Sequence, residues 1–111
     1  MIEKILLDYV SAALPVPVRM EIPADPQDRF VVLKRSGRGR ENGLYAANLI
    51  ADSYAESLLE AARLNEQVKA VLDELDTLDE ISSSELSTDY PAADTENKKY
   101  RYQAVYEIYH Y

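Results

Sequence analysis

The first fourteen residues carry apolar side chains at the spacing of three and four that places them on one face of a helix. The apolar positions of this segment are Ile2, Ile5, Leu6, Tyr9, Val10 and Ala13. Pro15 and Pro17 end the pattern, because proline lacks the backbone N–H and restricts the residue before it. The sequence therefore predicts an N-terminal helix over residues 1–14.

Two segments with the residue preferences of strands follow this helix. Between Val16 and Ile22, apolar and polar side chains alternate, which predicts a first strand with one buried face. Residues 29–35 contain a run of β-branched and aromatic side chains that predicts a second, well-covered strand. The intervening residues 23–28 hold two prolines and two aspartates, which are typical of a turn or short loop.

All three glycines of the chain lie between Gly37 and Gly43, next to several arginines. Because glycine adopts the positive φ that tight reversals need, residues 34–43 are predicted to form a hairpin connection with a mobile, basic tip. The glycine spacing does not match a dinucleotide-binding loop, and no helix follows immediately. The arginines of this tip are candidates for contact with acidic protein or DNA phosphate, although a solvated turn is the simpler explanation. They are Arg35, Arg38 and Arg40.

The stretch 44–51 fits either a third strand or the start of a long helix. We favour the strand, because a better helix start follows it. Ser53-Tyr-Ala-Glu56 has the form of a capping box, in which the serine accepts from the third amide and the glutamate reaches back. Apolar residues then keep helical spacing as far as Leu75, which predicts the second helix.

The remaining residues predict a final pair of strands. Residues 81–88 are serine-rich and fit an exposed or edge strand, residues 90–97 fit a polar loop, and residues 100–111 fit a strand that closes a long hairpin. The complete order is α-β-β-β-α-β-β. This order predicts a single α+β domain over residues 1–111, in which a mostly antiparallel sheet packs against two helices.

Five of the last twelve residues are tyrosines, and their spacing separates them into two groups. The alternation of side chains along a strand places Tyr100, Tyr102 and Tyr106 on one face, which we expect to lie in the core. Tyr109 and Tyr111 fall on the opposite face. A strand that is aromatic on both faces near its end is expected to have a neighbour on each, so these two side chains are candidates for contact with another subunit.

The formal net charge is −8, and it is unevenly distributed along the chain. Residues 1–50 hold seven Lys/Arg and six Asp/Glu, whereas residues 51–111 hold five and fourteen. An acidic surface of this extent repels phosphate, so we expect no sequence-specific binding of nucleic acid. No apolar run reaches the roughly 20 residues that span a bilayer, and the N-terminus lacks the pattern of a signal peptide. We therefore expect a cytosolic protein without membrane contact.

No combination of residues in the sequence predicts catalysis, a metal site or a cofactor site. His110 is the only histidine and the chain lacks cysteine, so a general base or metal ligand would have no partner of either type. Asp25 and Asp28 are explained by a turn. Ser82–Ser84 lack the context of a catalytic nucleophile, and the acidic run 73–89 lacks the ligand spacing of an EF-hand. We expect a protein that is not an enzyme.

Three features of the layout occur together: a helix that leads through a proline into a short strand, an entry into an alanine-rich helix, and a closing tyrosine strand. The second and third are Ile50-Ala-Asp-Ser-Tyr-Ala-Glu56 and Tyr100-Arg-Tyr-Gln-Ala-Val-Tyr-Glu-Ile108. This combination spans nearly the whole chain. It resembles the tail terminator proteins, also called tail completion or minor tail proteins, of long-tailed phages and prophages.

The resemblance implies a structural protein of the virion at the junction of tail and head. In that family an α+β subunit closes into a hexameric ring on the head-proximal end of the tail tube, stops tube polymerisation and joins the head connector. The implied partners are other copies of the chain, the tail tube protein and the head connector, and no catalytic residue is implied. Because rings need heterologous contacts, the basic tip and the two tyrosines at the chain's end are the candidate contact residues.

Two alternatives remain open at this point. Another head–tail joining protein or a minor capsid component would share the size, the acidity and the lack of catalytic residues. A small ferredoxin-like ligand-binding or regulatory domain belongs to a different class, and it would need a concave apolar pocket and show thermal stabilisation by its ligand.

Overall fold

The computed structural model describes residues 1–24 and 27–111, without the side chains of Arg38 and Glu41. The helices and strands are α1 (Ile2–Ala13), β1 (Val18–Arg19), β2 (Phe30–Glu41), β3 (Leu44–Ala55), α2 (Leu58–Leu72), β4 (Ile81–Pro91) and β5 (Tyr100–His110). A single 3₁₀ turn at Leu75–Thr77 follows α2. The element order predicted from the sequence and the α+β class are confirmed.

Five strands form one sheet in the order β1-β2-β3-β5-β4. β1 runs parallel to β2, and every other neighbouring pair is antiparallel. Two long hairpins, β2–β3 and β4–β5, therefore supply four of the five strands. The β2–β3 turn, the start of β4 and the C-terminus lie at the same end of the sheet, which we call the turn end.

Both helices cover one face of the sheet, and the main hydrophobic core lies between the helices and this face. Ala51 and Ala104 face each other across β3 and β5, and both are fully buried. Their small side chains allow α2 to approach the sheet closely. The larger buried residues of this core include Leu6, Val10, Val31, Leu33, Leu49, Leu64, Val68, Leu72, Tyr106 and Ile108.

A second, smaller core lies on the other face of the sheet and consists of Phe30, Val32 and Tyr54. The rings of Phe30 and Tyr54 stack with their centroids 4.5 Å apart. The Tyr54 hydroxyl donates to Oδ2 of Asp94 at 3.1 Å, and the guanidinium of Arg101 lies 6.0 Å from the Tyr54 ring. Asp94 belongs to the connection between β4 and β5, so these contacts fix that connection on the sheet.

The first strand is shorter than the predicted segment Val16 to Ile22. β1 contains only Val18 and Arg19, which pair with the beginning of β2. Pro17 limits it at its start, because proline cannot donate to a neighbouring strand. The carbonyl of Pro17 does accept a bond from the amide of Val31 at 2.9 Å, and Ile22 is exposed.

The basic hairpin tip predicted for residues 34–43 is mostly strand. β2 continues to Glu41, and the connection is the two-residue turn Asn42-Gly43 with φ angles of 53° and 81°. Two positive φ angles define the type I′ turn that suits a tight hairpin. Gly39, at a φ of 97°, lies where the register with β3 shifts, so this glycine forms a bulge and not the reversal.

The N-cap of α2 lies four residues after Ser53, the N-cap of the predicted capping box. The ambiguous stretch 44–51 is strand, as favoured, but β3 continues to Ala55 and buries Ser53. The helix is capped by Ser57, whose hydroxyl accepts from the amide of Glu60 at 3.1 Å. Ser57-Leu-Leu-Glu60 has the same capping pattern as Ser53-Tyr-Ala-Glu56, and the pairing of β3 with both neighbours decides between them.

Replacing Ser57 by alanine is expected to lower the free energy of unfolding by about 1 kcal/mol, since the cap bond to Glu60 is lost. The matched control is Ser53→Ala. The Ser53 hydroxyl is buried and has no hydrogen-bond partner among the described residues, so its removal should leave stability unchanged or slightly raised. Urea denaturation of both variants measures the difference, and a larger loss for Ser53→Ala would contradict this assignment of the cap.

The closing hairpin forms as predicted, with β4 at the edge of the sheet and β5 between β3 and β4. Its tyrosines are buried unequally. Tyr106 is fully buried, as expected, and Tyr102 is half-buried. Tyr100 was also expected in the core, but it is 52% exposed. The difference arises because Tyr100 pairs with the last residue of β3, Ala55, at the far end of the sheet.

Candidate interaction site

A groove of about 580 Å³ opens at the turn end of the sheet. Its walls come from four parts of the chain: the first turn of α1, the β2–β3 hairpin, Glu80 just before β4, and the end of β5 with Tyr111. We call it the terminal groove. Its lining residues include Ile2, Ile5, Arg35, Tyr45, His110 and Tyr111.

The first turn of α1 supplies the apolar wall of the terminal groove. In the next two turns, Leu6 and Val10 are buried in the main core, and their burial fixes the helix on the sheet. Ile2 and Ile5 are only partly buried, and Met1 is 87% exposed. The helix therefore presents apolar side chains beyond the region that the sheet covers, and these side chains face the groove.

An ion pair joins the helix to β2 within the groove. Nε of Arg35 donates to Oε2 of Glu3 at 3.1 Å, and both side chains are about one-third exposed, at 30% and 35%. A backbone hydrogen bond and this guanidinium lower the pKa of Glu3. Because the pair is close to solvent, it orients Arg35 more than it stabilises the fold.

A stack of aromatic and cationic groups forms the opposite rim of the groove. The guanidinium of Arg40 lies 5.1 Å from the centroid of the Tyr45 ring, and Tyr45 stacks on His110 at 5.4 Å with an interplanar angle of 19°. Nδ1 of His110 lies 3.2 Å from the carbonyl oxygen of Tyr111. Tyr45 and Tyr111 remain 46% and 71% exposed, so this rim offers aromatic surface to a partner.

The structure brings together three of the five residues that the sequence singles out for contact with a partner. Arg35 and Tyr111 line the groove, and Arg40 contacts its rim through Tyr45. Tyr109 lies on the other face of the sheet, as its position in the alternation predicts, and is half-buried beside Ala46. Tyr111, predicted for that same face, lies instead beyond the end of β5 and lines the groove, because the alternation stops where the strand ends. The side chain of Arg38 lies outside the part of the chain that the structure describes.

Sequence reasoning missed the other residues of the groove, most clearly Tyr45. Tyr45 pairs with Arg40 across the β2–β3 hairpin. Reading Asn42-Gly43 as a two-residue turn would have revealed this pairing, because that turn fixes the register of the two strands. The contribution of Ile2 and Ile5 has no comparable local signal, since it depends on where the helix docks.

The described residues form a concave surface at the turn end of the sheet. They contain no group of three or more His, Cys, Asp or Glu side chains arranged to hold a metal ion. The ring of His110 is engaged by Tyr45 and by the Tyr111 carbonyl. Asp28 is exposed, and Asp25 lies outside the described residues. In the same described ranges, neither helix has the length and apolar character needed to cross a membrane.

The fold is similar to that of a chain in a solved structure described as "Virion of native gene transfer agent (GTA) particle". The similarity has a TM-score of 0.68 at 12% sequence identity and covers 91% of this chain and 83% of the other. No family model and no curated protein matches the sequence. At 12% identity, the likeness establishes a shared fold over most of both chains.

Proposed function

We propose that this protein is a structural subunit of a phage-like particle and that it closes the head-proximal end of the tail tube as a ring. The observation that carries the proposal is the fold shared with a chain of a gene transfer agent virion over 91% of this chain. A fold alone does not specify a role. The tail-terminating role is supported in addition by the resemblance of the chain's layout to tail terminators and by the exposed contact surface at the turn end.

The proposed mechanism is competition for the end of a polymer. A ring that binds the last layer of the tube and presents a different outer surface removes the site where the next tube subunit would add. The new surface then binds the head connector. Such a mechanism needs two binding surfaces and no chemical step.

The candidate contact residues form a cluster suited to this task. Arg35, Arg40 and Tyr111 lie around the terminal groove, and Tyr109 lies at the same end on the other face of the sheet. Arginine and tyrosine are enriched at the centres of protein interfaces. We assign these residues, together with Arg38, to contact with neighbouring subunits of the particle.

The terminal groove also provides the one observation that favours the ligand-binding alternative. It is concave and partly apolar, with a volume in the range of small-molecule sites. A ligand-binding domain would remain monomeric and gain thermal stability from a small molecule. A ring subunit would instead bury the groove against protein.

The proposal is tested by polymerising the tail tube protein of the same particle with and without this protein. We expect substoichiometric amounts to shorten the tubes, because each capped end stops growing. The expected mean tube length falls as the ratio of this protein to tube protein rises. Unchanged lengths at every ratio would contradict the proposed function.

A further inference from the structure

The sheet has two unpaired edges. β1 covers the outer edge of β2 only at Val31 and Val32, so residues 33–41 of β2 have no strand beside them among the described residues. At the other side of the sheet, β4 is the last strand, and no strand lies beyond its outer edge in the described part of the chain. Unpaired edges present backbone donors and acceptors that can pair with another chain.

The two free edges lie at the same height in the sheet. Following the register through β3 and β5, Leu33 is level with Asp89 and Arg40 is level with Ile81. The free part of β2 therefore spans the same height as residues 81–89. Val31, which β1 covers, is level with Pro91, and proline cannot donate to a further strand. The segment of β2 that is free to pair with another strand therefore matches the free segment of β4 in length and position.

The strand directions also fit a head-to-tail contact. β2 and β5 run in one direction, while β3 and β4 run in the other, as the antiparallel pairings require. Rotation about an axis along the strands preserves these directions from one copy to the next. β4 of one copy would then meet β2 of the next in antiparallel orientation, which continues the alternation of the sheet. Contacts of this heterologous kind close into rings.

The charges of the two edges are complementary. The free part of β2 carries four basic residues and Glu41, whereas β4 carries two acidic residues and no basic one, and five more acidic residues lie in residues 73–80 before it. The four basic residues are Lys34, Arg35, Arg38 and Arg40.

One acidic residue of β4 is opposed by a like charge within the chain itself. Glu85 of β4 lies directly opposite Glu107 of β5, and both are exposed. Like charges in this position destabilise a strand pair, unless a cation lies nearby. Asp89, in contrast, is already paired with Lys69 at 2.8 Å, which lowers its pKa. Following the register, Glu85 is level with Ser36, and Lys34 lies two residues away on the same face, with its Nζ 3.0 Å from Oδ2 of Asp52.

We propose that β4 of one copy adds to the outer edge of β2 in the next copy, so that one sheet continues from subunit to subunit. This inference rests on the proposed function, because it supplies the contact that would close the ring. The register shifts between Gly37 and Gly39, between Ile81 and Ser83 and between Leu86 and Thr88 leave short regular stretches. The edge contact therefore centres on Ser83–Leu86 and Leu33–Gly37.

Cysteine cross-linking tests the edge contact, since the chain contains no cysteine of its own. Ser36 and Glu85 are exposed and lie on the same face, so the Ser36→Cys, Glu85→Cys double variant should fold normally. Under mild oxidation we expect a ladder of covalent multiples in denaturing gels, ending at the ring size. In the same denaturing gels, a 1:1 mixture of the two single variants should yield mainly the mixed dimer, and each single variant alone should run largely as uncross-linked monomer.

The matched control is the Thr95→Cys, Glu85→Cys double variant, in which exposed Thr95 lies in the β4–β5 connection, and it should give no ladder. A ring formed by the wild-type protein, combined with no ladder from the Ser36–Glu85 variant or from a Lys34→Cys, Glu85→Cys variant, would overturn the edge contact and leave the proposed function standing. Symmetric dimers from either single variant would overturn it as well. Absence of both rings and capping would contradict the proposed function itself.

Discussion

The Tyr106→Ala variant is expected to lose about 3–5 kcal/mol of unfolding free energy, which is a large part of the stability of a domain of this size. Tyr106 belongs to β5 and is fully buried in the core beneath α2. Its hydroxyl donates to Oδ1 of Asp73 at 2.7 Å and lies 3.1 Å from the carbonyl oxygen of Lys69. The change removes a large side chain from the core and leaves the Asp73 carboxylate without this donor, while the Lys69 carbonyl keeps its bond from the backbone N–H of Asp73.

Tyr106→Phe separates the two effects. Burial, followed by the nearby Asp73 carboxylate, raises the pKa of Tyr106, so the hydroxyl stays a neutral donor. Phenylalanine keeps the packing and removes only this donor, which should cost about 1–2 kcal/mol. Tyr100→Ala is the control for tyrosine removal and should stay within about 0.5 kcal/mol of the wild type, because Tyr100 is 52% exposed. Urea denaturation at equal temperature would contradict this account if Tyr106→Ala lost no more than Tyr100→Ala.

The Tyr111→Ala variant is expected to weaken assembly while the subunit remains folded. Tyr111 is 71% exposed at the terminal groove, so its removal should change unfolding free energy by at most about 0.5 kcal/mol. A tyrosine at the centre of an interface contributes about 2 kcal/mol, or roughly 30-fold in affinity, to each contact. The variant should therefore assemble only at much higher concentration and should lose the ability to shorten tail tubes.

Light scattering across a concentration series measures this loss, and Tyr100→Ala again provides the control. Both variants remove an exposed tyrosine near an end of β5, but only Tyr111 borders the groove. Tyr109→Ala should weaken assembly too, with some loss of stability because Tyr109 is half-buried. If Tyr111→Ala assembled and capped tubes as well as Tyr100→Ala does, Tyr111 would not be a contact residue.

The parts of the fold that the sequence predicted are those whose pattern is local and repeated. The helical spacing of residues 2–13 and the alternation of residues 100–110 each extend over about a dozen positions, and both elements form there. Such long patterns outweigh the preference of any single residue. The order of elements, and with it the α+β class, followed from them.

The errors arose where tertiary pairing decides between equal local choices. Ser53 and Ser57 both begin the same capping pattern, and only the continued pairing of β3 as far as Ala55 excludes the first. Gly39 has the composition of a turn, yet it forms a bulge because the reversal is already provided by Asn42-Gly43. The terminal groove combines both ends of the chain with the β2–β3 hairpin, so no local pattern could have predicted it.

The central claim is that this protein closes one end of a tail tube as a ring. The most direct measurement is electron microscopy of tubes assembled with the gold-labelled wild-type protein. We expect label at one end of each tube, with ring-shaped density there and no tube growth beyond it. Label distributed along the tubes, or tubes of unchanged length with unlabelled ends, would contradict it.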